Sequence, residues 1–317
     1  MVDLMRDSRG EWPVVGRMLA CANQKGGVGK TTTVVNLAAY LAGDGRRVLV
    51  VDLDPQGNAT SGLGAVRAAA GGSVYDALMG SAAVGALIVP TATPGLALVP
   101  SSISLAGAEV ELAAIPQRER RLSRVIEAVR SDFDVVFIDC PPSLGLLTVN
   151  ALTAADAVLI PLQCEYYALE GLSQLIATIH LVRDHLNPAL TVEGVVLTMF
   201  DARTNLSAEV AAEVRHHLGT AVFETVVPRS VRLAEAPSHG RPIAAYAPDS
   251  RGAIAYRDLA TEVWGRLDRD SRRLIDEQRG TSAGAGALET PRRPLALAVP
   301  GPQLGGASAA AHPGGTA

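Results

Sequence analysis

Large side chains are scarce in this 317-residue sequence: aromatic residues make up 4% of it. The core therefore has to come from Ala, Val and Leu, and a hydrophobic content of 48% is ample for one. Cysteine is scarce too. Cys21, Cys140 and Cys164 are odd in number and widely spaced, which fits neither a disulfide framework nor a zinc site. A reduced, cytoplasmic setting is the expectation. No apolar run reaches the roughly 18 residues that cross a bilayer. The first residues carry acids and lack an apolar h-region, so no secretory signal is expected either. The net charge of −4 leaves no strongly basic footprint, so any contact with nucleic acid has to come from a local patch or from dimerisation. Lysine is rarer still. Among 28 basic residues only Lys25 and Lys30 are lysine. A GC-rich coding bias accounts for arginine elsewhere, yet both remaining lysines sit in one glycine-rich loop. There a compact ammonium on a flexible stem differs most from a planar guanidinium.

What is present is an alternation of short apolar runs with helical periods. Strands are expected at Leu19–Asn23, Arg47–Asp52, Asp134–Asp139, Ala157–Pro161, Val192–Met199 and Val222–Val227. Helices are expected at Thr31–Ala42, Ser104–Ile115, Arg118–Arg130, Leu146–Ala154, Leu169–Leu186, Ser207–Leu218 and Ala253–Glu277. Such alternation predicts an α/β fold, a mostly parallel twisted sheet flanked by helices on both faces. Residues 1–16 read as a flexible extension and 17–279 as the folded domain. Residues 280–317, rich in Gly, Ala and Pro, read as a disordered tail.

Lys25, Gly26, Gly27, Val28, Gly29, Lys30, Thr31 and Thr32 lie between a strand and a helix. The phosphate-loop pattern G-x-x-x-x-G-K-[ST] is matched at its end, while its first glycine falls on Gln24, so the loop is a variant. Its glycines let backbone N–H groups curl inward at phosphate oxygens, and the helix N-terminus adds partial positive charge. In that reading Lys30 reaches the β- and γ-phosphates and Thr31 ligates Mg²⁺. The alternative is a plain glycine-rich turn. Lys25 lies outside the standard cradle and reads on its own as a solvated loop residue or a contributor to the site.

Asp52 and Asp54 end the strand after the first helix, where the carboxyl ends of parallel strands meet ligands. One can orient an attacking water and the other can support the Mg²⁺ shell or the loop; the alternative is that both cap the turn. Val135-Val136-Phe137-Ile138-Asp139 has the form of a strand whose terminal Asp holds Mg²⁺ through water. Cys140 reads as core. Guanine-reading loops with an Asn/Thr-Lys-x-Asp motif are impossible without a third lysine, so ATP is favoured as the nucleotide.

Several segments in the same order carry a resemblance to a known family. They are Lys25–Thr32, Val51–Asn58, Ile138–Ser143, Glu165–Gly171 and Val227–Ser238, within a match running from about Leu19 to Val263. Together they resemble the ParA/Soj chromosome-partition ATPases of the P-loop NTPase fold. The resemblance implies an ATP-sandwich homodimer in which Lys25 crosses to the partner's phosphates and Asp54 helps activate the hydrolytic water, with a possible water-mediated link to the metal. It implies non-specific DNA binding by the dimer, with Arg203 and Arg232 in the contact surface, and hydrolysis stimulated by a ParB-type centromere-binding protein. It places the adenine near Met199, Pro228 and Arg229, although Ser230 stands where relatives often carry Asn. A cytoplasmic, nucleoid-associated protein without a stable membrane anchor follows. The rivals are a MinD-like membrane-associated positioning ATPase, an iron protein of the same superfamily, a small-molecule amidoligase and a non-hydrolysing nucleotide-gated scaffold.

Overall fold

Val48-Leu49-Val50-Val51 offers no polar residue for a solvent-facing side, and all four are fully buried. Such a strand is stable only with both faces covered. The computed structural model describes residues 16–65, 71–165 and 168–280. The expected extension before Gly16 and the expected tail beyond Gly280 lie outside the described residues.

Seven strands form one sheet: β1 (Arg17–Cys21), β2 (Val48–Asp52), β3 (Val89–Pro90), β4 (Leu96–Val99), β5 (Val135–Asp139), β6 (Ala157–Gln163) and β7 (Thr191–Thr198). Their spatial order is β3-β4-β2-β5-β1-β6-β7. Every pairing is parallel except that of β3 with β4. The helices before β5 are α1 (Lys30–Gly43), α2 (Asn58–Gly62), α3 (Val74–Met79), α4 (Val84–Leu87), α5 (Leu105–Ala113) and α6 (Arg121–Glu127). After it come α7 (Leu146–Ala154), α8 (Ala168–His185), α9 (Asn205–Leu218), α10 (Val231–Glu235), α11 (Ile243–Tyr246) and α12 (Arg251–Gly280).

Alternate strand residues point to opposite faces and build two cores. Leu19, Val48, Val50 and Phe137 join α1 and α12 on one side. Met18, Leu49, Val51 and Ile138 join α5 to α9 on the other. Burying one such side chain contributes about 1.5–3 kcal/mol. The two-faced α/β sheet expected from sequence is what forms.

Two expectations are corrected. Val222–Val227 is not a strand of the sheet; Val222 and Pro228 make only isolated bridges, to Val195 and Phe200. The reason is competition for donors. The Glu262 carboxylate on α12 accepts from the backbone N–H of Glu224 at 3.0 Å and of Thr225 at 3.1 Å, so these groups are not free to pair in a ladder. The single helix expected over Arg118–Arg130 is a 3-10 turn at Arg118–Arg120, then α6, then a second 3-10 turn at Arg130–Asp132. The short strands β3 and β4 are not expected from the sequence, because two to four residues carry too little periodicity to read.

Candidate active site

The order of the sheet puts the carboxyl ends of β2, β5 and β1 side by side, with Asp52 opposite Asp139 and Asp139 opposite Cys21. The glycine-rich loop leaves β1 at this edge and opens α1. Gly27 and Gly29 both take positive φ, 74° and 91°, which a side chain would strain. Gly29 caps α1, and its carbonyl accepts from the Thr33 N–H at 2.9 Å. The loop is tied down at both ends. Asn23 donates to the Pro161 carbonyl at 2.7 Å, and the Thr198 hydroxyl donates to the Val28 carbonyl at 2.8 Å.

The two lysines part company here. Lys30 is 6% exposed, and its ammonium turns back to the Lys25 carbonyl at 3.2 Å. It closes the curl of the loop from inside. Lys25 points away, its Nζ 2.7 Å from Glu165 Oε2, with its side chain 40% exposed. Glu165 is itself held by the Gln163 amide.

The acids divide just as sharply. Asp52 is fully buried and satisfied: it accepts from the Thr60 N–H at 2.7 Å, the Thr60 hydroxyl at 2.6 Å and the Asp54 N–H at 3.2 Å. Burial still raises its pKa to about 6, against the pull of these donors. Asp139 is equally buried, but neither carboxylate oxygen has a hydrogen-bond partner. Burial, then the neighbouring Asp52 charge, push its pKa well above the ordinary carboxylate range; the nearby Thr31 hydroxyl offsets part of this without a hydrogen bond of normal geometry. Buried unpaired oxygens are rare and mark a ligand or strain. Asp54 is 6% exposed, and its Oδ1 accepts from the Gln56 N–H at 2.9 Å.

This edge therefore offers curled backbone N–H groups, a buried ammonium, the Thr31 hydroxyl and an orphaned carboxylate. Among the described residues no cluster of three His, Cys, Asp or Glu side chains is placed to hold a metal ion. Magnesium keeps its waters and is held by one or two protein groups together with nucleotide phosphates.

A family profile described as an AAA domain matches residues 16–192. The sporulation initiation inhibitor protein Soj of Bacillus subtilis is 59% identical over 249 residues, covering 78% of this chain and 98% of that one. The chromosome partitioning protein ParA of Myxococcus xanthus is 53% identical, covering 82% of this chain and 92% of that one. The chain belongs to the ParA/Soj family of chromosome-partitioning ATPases. Among solved structures, a cobyrinic acid a,c-diamide synthase from Mycobacterium smegmatis with bound ATP analogue and magnesium is 44% identical, with TM-score 0.68. It covers 77% of this chain and 93% of that chain. The cell-division ATPase MinD of Pyrococcus furiosus is 28% identical with TM-score 0.66, covering 79% of this chain and 99% of that chain.

In this ParA/Soj chain the remaining expected site residues lie further along the same edge. Met199 follows Thr198 and holds a left-handed φ of 50°, a strained conformation for a side chain of that size. The next residue, Phe200, pairs with the segment of Pro228 and Arg229 through Phe200 N–H to Val227 O at 3.1 Å and Arg229 N–H to Phe200 O at 3.0 Å. Tertiary structure thus brings together the three residues expected near the adenine. A cleft of about 530 Å³ beside them is lined by Phe200, Pro228 and Ile254 among others, but by no residue of the phosphate loop. It is separate from the glycine-rich loop.

Arg203 and Arg232 are exposed on different segments, and each is already paired. Arg203 meets Asp201 at 2.7 Å and Arg232 meets Glu235 at 2.9 Å. The fold builds no bare basic stripe from them. Sequence reasoning did not single out Glu165 as the Lys25 partner, Thr60 and Ser101 behind the acids, or Asn23 and Thr198 behind the loop. Glu165 lies in the segment Glu165–Gly171 that carries the family resemblance. The other four carry no local signal, since each is defined by a distant partner. Among the described residues, no helix is long and apolar enough to cross a membrane.

Proposed function

We propose that the chain is an ATP- and Mg²⁺-dependent DNA-partition ATPase that works as a nucleotide-sandwiched homodimer. Its own Gly26, Gly27, Val28, Gly29, Thr31 and Thr32 would cradle the phosphates, with Lys30 neutralising them from inside the loop. Thr31, and Asp139 through a water, would hold the magnesium; Asp54, also through a water, is a further candidate. A bound magnesium would supply charge neutralisation on the phosphates. Asp54 would orient the attacking water. Met199, Pro228 and Arg229 would border the adenine. Arg203 and Arg232 would contact DNA phosphates without reading sequence, and a ParB-type partner would accelerate hydrolysis and end the cycle.

The observation that carries the dimer is the direction of Lys25. A lysine serving its own phosphates would fold inward as Lys30 does. Instead its ammonium faces out on a half-exposed ion pair with Glu165, an interaction worth little in water and easily exchanged for phosphate oxygens. The 59% identity to Soj supports the same reading.

The test is a DNA-binding titration of the full chain with ATP, with ADP and without nucleotide, at two salt concentrations. ATP-dependent, salt-sensitive binding is expected. Lys25→Ala should bind ATP yet fail to dimerise; Asp54→Ala should accumulate an ATP-bound, DNA-bound dimer. DNA affinity indifferent to nucleotide would sink the proposal. A small-molecule amidoligase is the second reading, on the strength of the 44% identical Mycobacterium smegmatis structure. Amide formation coupled to ATP hydrolysis would favour it.

A further inference from the structure

The side chain of Asp54 is aimed by its backbone, and that backbone is gripped from both ends. Its N–H donates to Asp52 Oδ1 at 3.2 Å, and its carbonyl accepts from the Ser101 hydroxyl at 2.5 Å. The two grips are joined through one residue. The Thr60 hydroxyl donates to Asp52 Oδ2 at 2.6 Å and accepts from the Ser101 N–H at 3.0 Å. Asp52, Thr60, Ser101 and Asp54 therefore close a ring that links the end of β2, the short helix α2 and the segment after β4. Thr60 is fully buried and Ser101 is 1% exposed, so both hydroxyls bond out of reach of bulk solvent. The Thr60 hydroxyl spends its proton on Asp52 and a lone pair on Ser101. A side chain without both functions cannot close the ring.

We infer that Thr60 and Ser101 are positioning residues for hydrolysis: they fix the Asp54 backbone so that its carboxylate points at the attacking water. The inference rests on the role proposed above for Asp54. The ring lies behind the carboxyl edge and makes no bond to the phosphate loop among those described, so its effect falls on turnover and not on nucleotide affinity. A misplacement of about 1 Å costs on the order of a hundredfold in rate.

The experiment measures single-turnover ATP hydrolysis, nucleotide Kd and melting temperature on the full chain. Thr60→Val, close in shape but without the hydroxyl, is expected to lower the rate roughly ten- to a hundredfold while Kd holds. Thr60→Ser should restore most of the rate, because it returns the hydroxyl. Ser101→Ala should slow turnover as well, and it serves in place of Thr60→Val should that variant not fold. Added to Asp54→Ala, either change should cost nothing further, because there is no carboxylate left to aim. An unchanged rate in both Thr60→Val and Ser101→Ala overturns the inference. So does a full additional loss on top of Asp54→Ala, or a loss of Kd in step with the rate. Should Asp54→Ala turn over normally, the reading of Asp54 fails and takes the inference with it. Should Asp54→Ala be inactive while the two ring variants are normal, only the inference fails.

Discussion

Asp52 and Asp139 end neighbouring strands in direct register, and both are fully buried. One has three hydrogen-bond donors and the other has none. Desolvating a carboxylate is costly unless donors replace its water. Asp52 recovers part of that cost from its three donors and so belongs to the structure. Asp139 does not, and so stores an unmet demand that a cation can satisfy. Position in the sheet makes both acids candidates; the donor count separates them.

The largest expected effect tests the orphan. Asp139→Asn should weaken Mg²⁺-dependent nucleotide binding about a hundredfold and leave binding in chelator unchanged, as measured by calorimetry. A variant with normal magnesium dependence would break the contrast. Next comes the satisfied acid. Asp52→Ala strands the Thr60 and Asp54 donors, and denaturant unfolding should show about 2 kcal/mol lost. Magnesium dependence should survive in the fraction that stays folded.

A smaller effect sharpens the same comparison through pH. The raised pKa of Asp139 means that the nucleotide-free protein retains a proton there well above the usual carboxylate range. In the proposed site a metal ion would have to expel that proton, so affinity for Mg²⁺ with nucleotide should rise with pH and level off once Asp139 is ionised without help. Asp139→Asn should flatten the profile. Asp52 carries a stability sign of its own. Its folded pKa, raised to about 6, means that the folded state holds more protons than the unfolded chain, so its contribution falls as pH climbs from about 4 through 6. Smallest of all is the exposed pair of Arg203 with Asp201. Arg203→Ala should leave the melting temperature unmoved, while DNA binding weakens and becomes less salt-sensitive.

Much of this was legible before any coordinates. The loop from Lys25 to Thr32 announces itself because phosphate binding is a backbone property, written in adjacent glycines. Asp52, Asp54 and Asp139 announce themselves because an apolar run ending in Asp is a local pattern. The late segment Val222–Val227 misled, since its apolar residues fit a strand as well as a loop. What decided it was Glu262 on a helix 37 and 38 residues further on.

The sequence by itself determined the alternation of strand and helix, the place of the phosphate loop and the three acids at the strand ends. These are short-range facts, fixed by side-chain period and backbone freedom. Only the tertiary structure decided which acid is satisfied and which lysine faces out. Asp52 takes two of its three donors from a residue 8 positions on, and the ring behind it closes through one 47 positions from Asp54. Lys25 finds its carboxylate 140 positions away. Burial and pairing are properties of space, and the chain settles them only when strands that are far apart in sequence lie side by side.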